Sequence, residues 1–414
     1  MVEIDIEYIK TRKLWLDIKL IIKIVGVLFG IKMNHRNSKE VEMEKTIRVA
    51  HVMGKMMSGG VESIIMNYYR HIDKDKVQFD FIVDEDSTVI PIDEIEKLGG
   101  KVIMVPPYQK LHKYMIKLAK VFKENEYQIV HSNINALSVF PMMAAKIAGV
   151  KIRIAHNHST SNNKEIKKTL VKNVLKPFSK MFPNKYFACS ELAGKWLFGE
   201  DFYNEGRVKL IKNAIDISKF IYNEDKRTCI RKEMELEDKF VIGHVGRFMF
   251  QKNHDFLIEI FNEVNKIDNN VYLLLIGEGE LENSIYEKVE KLGLTSKVKF
   301  LGIRDDVNDI MQAMDVFVFP SRYEGLGMVA VEAQAAGLKT IVSDEIPIEA
   351  KVTELLEYCN LEQTPKEWAI KILESKNGYL RQDTSKEIED NGYEIKRASK
   401  KLEEIYLEEF NRYE

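Results

Sequence analysis

From residue 45 onward, short β-branched runs alternate with longer helical patterns along the chain. This alternation predicts βαβ units and parallel sheets, because two parallel strands need a long crossover between them. The chain has 414 residues, which is more than a single hydrophobic core usually supports. We therefore predict an α/β protein with two doubly wound, Rossmann-like domains that face each other across a cleft.

A charged stretch after residue 222 separates two series of predicted strands. The first series comprises 46–52, 79–83, 101–105, 129–132, 152–156, 186–190 and 208–212. The second comprises 240–245, 271–276, 298–301, 316–320 and 340–343. Helices are predicted at 63–72, 111–122, 253–267, 281–292 and 328–336. We predict a first domain over residues 44–215, a second over 216–390, and a C-terminal helix over 391–414 that closes the structure.

Composition excludes several classes of protein. Apolar residues make up 45% of the chain, charged residues 30%, and the net charge is −2, which is ordinary for a folded protein and predicts no nucleic-acid partner. Cys189, Cys229 and Cys359 lie far apart without a CxxC spacing, so neither a zinc site nor a disulfide framework is indicated. This cysteine content fits a reducing cytosol and predicts a cytoplasmic protein.

The N-terminal extension, residues 1–43, has a different character. Its apolar stretch at 14–31 is nearly long enough for a membrane span, but Asp17, Lys19 and Lys23 interrupt it. Basic residues flank it, which suits a helix lying on an anionic membrane surface, in peripheral contact with the cytoplasmic face of the membrane. The alternative is that translation starts at Met43, directly before the first strand.

Residues directly after strands are the first candidates for chemistry, because open parallel sheets bind ligands at the carboxyl ends of their strands. Gly246 and Arg247 follow the strand at 240–245, and Lys252 lies just ahead of the next helix. A guanidinium and an ammonium group at a helix start suit a diphosphate. The alternative is that Arg247 and Lys252 are ordinary solvated surface cations. Their position directly after a strand favours the binding role over this alternative.

A second loop with polar and glycine residues follows the strand at 316–320. Gly325 and Gly327 allow a close backbone approach to a bound anion, while Glu324 and Glu332 are expected to face the same cleft and to accept hydrogen bonds from sugar hydroxyls. A third loop, with Gly277 and Gly279, has the small residues that a flat base needs beside it, although such a pair also makes ordinary turns.

These motifs together closely resemble the GT-B retaining glycosyltransferases of family 4, in particular the bacterial branch that builds capsular polysaccharide or exopolysaccharide. The resemblance covers the chain from about residue 45 to its end. The segments that carry it are GR at Gly246 and Arg247, QKN at 251–253, LLIGEGE at 274–280 and SRYEGLGMVAVEAQAAG at 321–337.

The resemblance implies donor-side roles that spacing alone does not give. Arg247 and Lys252 would neutralise the diphosphate of a nucleotide-sugar donor, with UDP as the expected nucleotide. Glu324 would contact the transferred sugar and Glu332 the ribose. The remaining donor-side residues implied by the resemblance are Gly60, Gly246, Gly277, Arg304, Gly325, Leu326 and Gly327. No metal and no further cofactor are expected, because the two cations neutralise the diphosphate.

The acceptor, by the same resemblance, is a glycan or a lipid-linked sugar bound on the side of the first domain. Gly59 belongs to a glycine-rich loop after the first strand, and His131, His156 and His158 stand at strand ends. We expect these histidines to line the acceptor side of the cleft, with His131 the first choice for a catalytic role. A metal at the His-x-His pair is disfavoured because no carboxylate or cysteine neighbours it in sequence.

Three other functions are considered as alternatives to sugar transfer. A non-hydrolysing nucleotide-sugar epimerase shares the two-lobed plan but would convert the donor without an acceptor. A nicotinamide-dependent dehydrogenase is disfavoured because Gly59 and Gly60 do not complete a G-x-G-x-x-G fingerprint. A non-catalytic nucleotide-sugar sensor is the non-enzyme alternative, and the presence of both cations with both glutamates argues against it.

Overall fold

The computed structural model describes residues 46–57, 60–159, 173–377 and 379–413. The predicted N-terminal extension and Gly59 lie outside these ranges. Elements are numbered in chain order within the described residues.

The first domain is built on seven parallel strands in the order β3-β2-β1-β4-β5-β6-β7. They are β1 (Ile47–Gly54), β2 (Val77–Asp84), β3 (Lys101–Val105), β4 (Ile129–Ser132), β5 (Ile152–Asn157), β6 (Lys185–Ala188) and β7 (Val208–Leu210). The helices between them are α1 (Gly60–His71), α2 (Ile92–Lys97), α3 (Leu111–Glu124), α4 (Val139–Ile147), α5 (Glu191–Phe198) and α6 (Glu200–Asn204).

The second domain has six parallel strands in the order β10-β9-β8-β11-β12-β13. They are β8 (Phe240–Val245), β9 (Val271–Ile276), β10 (Val298–Phe300), β11 (Val316–Phe319), β12 (Lys339–Ser343) and β13 (Leu356–Cys359). Its helices are α7 (Ile217–Phe220), α8 (Glu224–Glu233), α9 (His254–Ile267), α10 (Glu282–Lys291), α11 (Val307–Ala313), α12 (Met328–Ala335), α13 (Pro365–Glu374) and α14 (Ser385–Asp390). Short 3₁₀ turns connect several elements, and one of them, Phe250–Lys252, belongs to the site.

The last helix, α15 (Ile395–Asn411), returns to the first domain. Ile395, Leu402, Ile405 and Tyr406 are buried in the same apolar cluster as the first-domain strands, and α15 packs against α1. The chain thus crosses between the domains twice. At the second crossing the Ile215 NH donates to the Tyr393 carbonyl at 2.8 Å.

Each face of the first sheet carries its own apolar cluster, as expected for a buried parallel sheet. Residues such as Val49, Phe79 and Phe187 point to the face that α1 and α15 cover. Their neighbours along the strands, such as Ala50 and Val130, point to the face covered by α3, α4 and α5. Because successive side chains of a strand point to opposite faces of the sheet, only those on one face contact the C-terminal helix.

The predicted GT-B class is confirmed, and each predicted strand is present with ends that differ by at most two residues. The edge strand β13 was not predicted. Its four residues include Glu357 between Leu356 and Tyr358, and such a short run has too little periodicity to separate from a loop. Eight helices had no predicted range: α2, α4, α5, α6, α7, α8, α11 and α13.

Candidate active site

The candidate residues gather at the two points where the strand order reverses. In the first sheet β1 and β4 are neighbours although they are not consecutive, and in the second sheet β8 and β11 are neighbours in the same way. Chain segments leave such a pair in opposite directions, which opens a crevice at the carboxyl ends of the strands. Gly60 and His131 lie near the first of these points in the chain, and Arg247 and Glu324 follow the strands at the second.

Two loops of the second domain, 246–253 after β8 and 320–327 after β11, are tied together by hydrogen bonds. The Arg322 NH donates to the Gln251 carbonyl at 2.8 Å, and the Gln251 Nε2 donates to the Tyr323 carbonyl at 3.0 Å. Asn253 takes a left-handed conformation with φ 58° and donates its Nδ2 to the Pro320 carbonyl at 3.0 Å. Asparagine tolerates this conformation better than most residues. The loops therefore hold their side chains in a fixed relation.

Lys252 and Glu324 form an ion pair between these loops. The Lys252 Nζ lies 2.8 Å from the Glu324 Oε1 and 4.6 Å from the centre of the Phe319 ring. The two side chains are only 18% and 8% exposed. The ammonium group is thus held by a carboxylate and an aromatic face, both of which favour a positive charge.

Arg247 differs from Lys252 in having no side-chain partner among the described residues. Its side chain is exposed, and within the part of the chain that the structure describes it makes no hydrogen bond or ion pair. A guanidinium group without a carboxylate keeps all of its donors available to an anionic ligand. The neighbouring Gly246 lies against the Lys252 side chain, since a Cβ at Gly246 would stand 3.1 Å from the Lys252 Cδ.

Glu332 lies on α12, one to two turns after the helix start at Met328. Burial raises the pKa of its carboxyl group to about 7, and the positive charge of Lys252 lowers this pKa by a smaller amount. Glu332 and Lys252 are therefore close enough to interact. Gly327, the residue before this helix, has a φ of 83°, which favours glycine.

Gly277 and Gly279 bring the loop after β9 against the loop after β8. A Cβ at Gly277 would stand 2.4 Å from the Gly246 carbonyl oxygen, and one at Gly279 would stand 2.4 Å from the Phe248 carbonyl oxygen. Only glycine fits such backbone contacts. The Gly277 NH also donates to the Gly302 carbonyl at 2.8 Å, which places the turn with Arg304 beside this loop.

Arg304 itself pairs with Asp306 in the same turn, through its Nε at 2.8 Å from Oδ1 and its Nη2 at 2.6 Å from Oδ2. Its side chain is about two-fifths exposed, at 42%. Arg304 therefore lies at the rim of the second crevice, next to the glycine loop.

The two domains touch where Gly325 meets the end of β5. A Cβ at Gly325 would stand 2.6 Å from the His158 carbonyl oxygen and 3.2 Å from the Ser159 Cα. The adjacent Leu326 is buried. The predicted donor loop and the predicted acceptor-side histidines are thus brought together across the cleft.

The structure corrects one part of the site prediction. His131 and His156 do not line an open surface: their rings are 1% and 2% exposed, and the His131 Nε2 lies 3.0 Å from the His156 Nδ1. The reason is the alternation along β4, which turns His131 onto the face covered by α15, where the Tyr406 hydroxyl lies 2.6 Å from the His131 Nδ1. His158 is buried as well.

Gly60 is exposed at the first position of α1, with open space where a Cβ would stand. Tyr406, Asn133 and His51 were missed from the sequence. Tyr406 lies in a charged C-terminal helix, far along the chain from the strands that it contacts. A tyrosine at an apolar position of a helix is, in addition, typical of an ordinary core residue. The HSN run at 131–133 was the available signal for Asn133, since it ends a buried strand.

No described helix has both the length and the apolar composition that a membrane span requires. Over the same residues, no group of three or more histidine, cysteine, aspartate or glutamate side chains is arranged to hold a metal ion.

The arrangement can bind an anion flanked by hydroxyl groups. Lys252 and Glu324 form an ion pair between the loops after β8 and β11, Glu332 is near enough for the charge of Lys252 to lower its pKa, and Arg247, which has no side-chain partner among the described residues, follows β8 directly. Fixed donors of this kind stabilise negative charge that develops on a leaving group.

Comparisons with known proteins agree with this chemistry. Residues 225–394 match the glycosyl transferases group 1, and residues 58–219 match glycosyltransferase family 4. The chain is 36% identical over 307 residues to a putative glycosyltransferase, EpsF, of Bacillus subtilis, which covers 72% of this chain and 79% of that protein.

Two further relatives carry more specific names. A UDP-Gal:alpha-D-GlcNAc-diphosphoundecaprenol alpha-1,3-galactosyltransferase of Escherichia coli is 27% identical over 72% of this chain and 79% of its own length. The capsular polysaccharide biosynthesis glycosyltransferase CapH of Staphylococcus aureus is 26% identical over 87% of this chain and 99% of its own length.

The fold has a solved counterpart in Anabaena HepE, crystallised in complex with UDP and glucose. The two chains superpose with a TM-score of 0.67 at 20% identity, over 86% of this chain and 95% of HepE. Sequence, fold and the geometry of the crevice lead to one conclusion: this chain belongs to the family 4 glycosyltransferases and has the GT-B fold.

Proposed function

We propose that the protein transfers a sugar from a UDP-sugar to a hydroxyl group of a glycan or a lipid-linked sugar in the synthesis of a bacterial surface polysaccharide. The observation that carries this proposal is the crevice of the second domain, where Arg247 has no side-chain partner in the described part of the chain, Lys252 pairs with Glu324, and the charge of Lys252 acts on Glu332. The UDP bound in HepE supports the choice of nucleotide. The names of the galactosyltransferase and CapH support a lipid-linked acceptor and a surface polysaccharide.

Each side chain has a part in this proposal. Arg247 and Lys252 bind the diphosphate, Glu332 accepts hydrogen bonds from the ribose hydroxyls, and Glu324 contacts the transferred sugar. The backbone of residues 325–327 meets sugar or phosphate, and the base lies between Gly277 and Arg304.

The reaction breaks the bond between the anomeric carbon and the diphosphate oxygen, and the bonding electron pair leaves with the diphosphate. The acceptor oxygen forms the new bond on the same face of the sugar, so the anomeric configuration is retained. Its proton passes to the leaving phosphate. Arg247 and Lys252 stabilise the negative charge that grows on the diphosphate, which makes a metal ion unnecessary.

The proposed location is the cytoplasm, with peripheral contact to the cytoplasmic face of the membrane, where a lipid-linked acceptor is accessible. Flotation with anionic vesicles tests this contact. Equal flotation of the full chain and of a chain without residues 1–42 would show that the N-terminal extension does not cause the membrane contact.

The first experiment is a panel of nucleotide sugars scored by the rise in melting temperature, because a ligand that binds only the folded state stabilises it. The selected donor is then incubated with and without acceptor. Conversion of the sugar without acceptor would indicate an epimerase, and binding without turnover a sensor. The match to glycosyltransferases favours transfer over both.

Arg247→Ala and Lys252→Ala are expected to lower transfer by at least about a hundredfold, since each removes a donor aimed at the leaving group. Arg207→Ala is the matched control, because Arg207 is also an exposed arginine but pairs with Glu205 beside β7. Near-normal turnover of Arg247→Ala would contradict the assignment. Transfer that persists in a chelator, with a product of unchanged anomeric configuration, would support the metal-free, retaining mechanism.

A further inference from the structure

The aromatic ring beside the Lys252 ammonium group belongs to Phe319, the last residue of β11. Its centre lies 4.6 Å from the Lys252 Nζ, and the side chain is fully buried in the apolar cluster under α12. The same ring lies close to the start of α12, since a Cβ at Gly327 would stand 3.4 Å from the Phe319 Cε1. Phe319 is therefore next to both the ammonium group and the residue that precedes the helix.

The Lys252 ammonium group has three N–H donors. The Glu324 Oε1 accepts one of them at 2.8 Å, and the group makes no other hydrogen bond within the described residues. The side chain is nevertheless mostly shielded from water. A shielded ammonium group needs attractive partners in place of water, and the electron-rich face of Phe319 is such a partner.

The two partners of Lys252 act differently on an anionic ligand. The Glu324 carboxylate attracts the ammonium group but carries a full negative charge, which repels a diphosphate placed beside it. An aromatic ring attracts the ammonium group through its quadrupole and has no net charge, so it does not repel the diphosphate. Phe319 can thus hold Lys252 both before and after an anion binds.

The backbone around Lys252 is held independently of Phe319. On one side of Lys252, the Gln251 Nε2 donates to the Tyr323 carbonyl at 3.0 Å, and on the other side the Asn253 Nδ2 donates to the Pro320 carbonyl at 3.0 Å. A change in the Phe319 ring is therefore expected to act on the ammonium group rather than on the path of the loop.

The imidazole group beside Phe319 does not add a competing charge. The His244 ring lies 5.7 Å from the Phe319 ring, measured between centroids, and its Nδ1 donates to the Val318 carbonyl at 2.9 Å. Burial and, to a smaller extent, the charge of Lys252 lower the pKa of His244 to about 4. His244 is therefore uncharged near neutral pH.

We propose that Phe319 is a positioning residue for donor binding: its ring holds the Lys252 ammonium group at the place where the diphosphate binds, without adding negative charge there. The identity of the anion rests on the proposed function, whereas the contact between the ring and the ammonium group does not. When Glu324 turns to the transferred sugar, the ring remains as the neutral partner of Lys252.

A double-variant cycle without ligand tests the contact itself. Phe319→Leu keeps an apolar side chain and removes the ring, and Lys252→Met removes the charge. The loss of stability of the double variant, measured by urea denaturation, should be smaller than the sum of the two single losses, because either change alone already breaks the contact. Additive losses would overturn the proposal.

Phe317→Leu is the matched control in this cycle. Phe317 is equally buried on β11, in the same apolar cluster, and its ring lies 5.9 Å from that of Phe319 between centroids. Unlike Phe319, it has no lysine or arginine over its ring among the residues that the structure describes. Its loss of stability should add to that of Lys252→Met, and a coupling as large as that of Phe319 would mean that the cycle reports packing alone.

Fluorinated phenylalanines introduced at position 319 of the full chain test the electrostatic attraction at a nearly constant ring size. Each added fluorine weakens the attraction of the ring for a cation, because it withdraws electron density from the face. The affinity for UDP, measured by calorimetry, should fall stepwise from phenylalanine to the mono-, di- and trifluorinated residues, by about threefold to tenfold in all. The same series at position 317 should leave the affinity unchanged.

Lys252→Met shows whether the ammonium charge is the cause. This variant should bind UDP more weakly, and its remaining affinity should no longer depend on fluorination at position 319. An affinity that is equal across the series in the wild-type background would overturn the positioning role, and so would a stepwise loss that persists in Lys252→Met. Failure of the wild-type chain to bind UDP or any nucleotide sugar would defeat the proposed function instead, and the double-variant cycle would still decide whether the ring holds Lys252.

Discussion

The Lys252 ammonium group and the Glu324 carboxylate lie 2.8 Å apart between two loops of the second domain, each mostly shielded from water. The pair is satisfied without a ligand. We infer that a donor diphosphate would share Lys252 with this carboxylate, which already holds the ammonium group in place without a ligand.

This pair predicts a stability signature that is separate from catalysis. Lys252→Met leaves the Glu324 carboxylate buried without its cation, and the free energy of unfolding should fall by about 2 kcal/mol. The double variant Lys252→Met/Glu324→Gln should recover most of this loss, because it removes both charges. Urea denaturation measures both values. A double variant with the summed loss of the two single variants would show that the two groups are not coupled.

A second prediction concerns the pH dependence of donor binding. Burial raises the pKa of Glu332 to about 7, so the carboxyl group is largely protonated at pH 5.5 and ionised at pH 8.5. If the ionised form accepts hydrogen bonds from the ribose, the affinity for UDP-glucose rises with pH, by on the order of tenfold over this range. UDP-glucose is the suitable probe because its diphosphate does not titrate there.

Glu332→Gln cannot ionise and serves as the comparison. Its affinity for UDP-glucose should be flat between pH 5.5 and 8.5. A wild-type affinity that is equally flat would contradict the role of Glu332, whatever the absolute affinity.

The sequence predicts the second-domain site better than the first-domain site, for a physical reason. Arg247, Lys252 and Glu324 follow strands directly, so their places in the crevice depend only on local chain order and on parallel strand pairing. The contact of Gly325 with His158 depends instead on how two domains meet, and no periodicity in the sequence encodes that distance.

The histidines illustrate the same limit. Their positions at the ends of β4 and β5 were predicted, but their burial follows from α15, whose Tyr406 lies 275 residues beyond His131. A helix that returns to the first domain after the second is complete cannot be located from local patterns, which predict only that the tail is helical.

The contact between Gly325 and His158 gives a third prediction. In Gly325→Ala the new Cβ would stand 2.6 Å from the His158 carbonyl oxygen, and because this atom is backbone the loop or the domain must shift. Transfer should fall by about tenfold to a hundredfold, since small displacements of reacting groups are costly. The binding of UDP, for which we propose a site in the second domain, should change less than turnover.

Gly149→Ala is the matched control for Gly325→Ala. Gly149 follows α4, no atom lies within 4 Å of a Cβ placed there, and its φ of 82° makes alanine strained. This variant should lower the melting temperature without lowering turnover per folded molecule. Equal turnover of Gly325→Ala and the wild type would mean that the contact between the domains is not needed for transfer.

Four buried histidines of the first domain, His51, His131, His156 and His158, predict how stability depends on pH. They have a lower pKa in the folded state than the usual value of 6.5, so they contribute stability that is complete above pH 6.5 and is lost as the pH falls below it. At pH 5.5 each ring held neutral lowers the free energy of unfolding by about 1.4 kcal/mol. Glu332 and Asp84, whose pKa is raised by burial to about 7, act in the opposite direction.

Comparison of variants isolates the histidine contribution from these carboxyl groups. His51→Phe removes one titrating ring and places an aromatic side chain beside Phe79, whose ring centre lies 4.1 Å from that of His51. The loss of stability between pH 7.5 and 5.5 should then be smaller than in the wild type by about 1.4 kcal/mol. His112→Ala, which removes an exposed histidine on α3, serves as the matched control. Parallel stability curves for His51→Phe and the wild type would mean that His51 has the same pKa in the folded protein as in the unfolded chain, and the neutral form of the buried histidine would have to be abandoned.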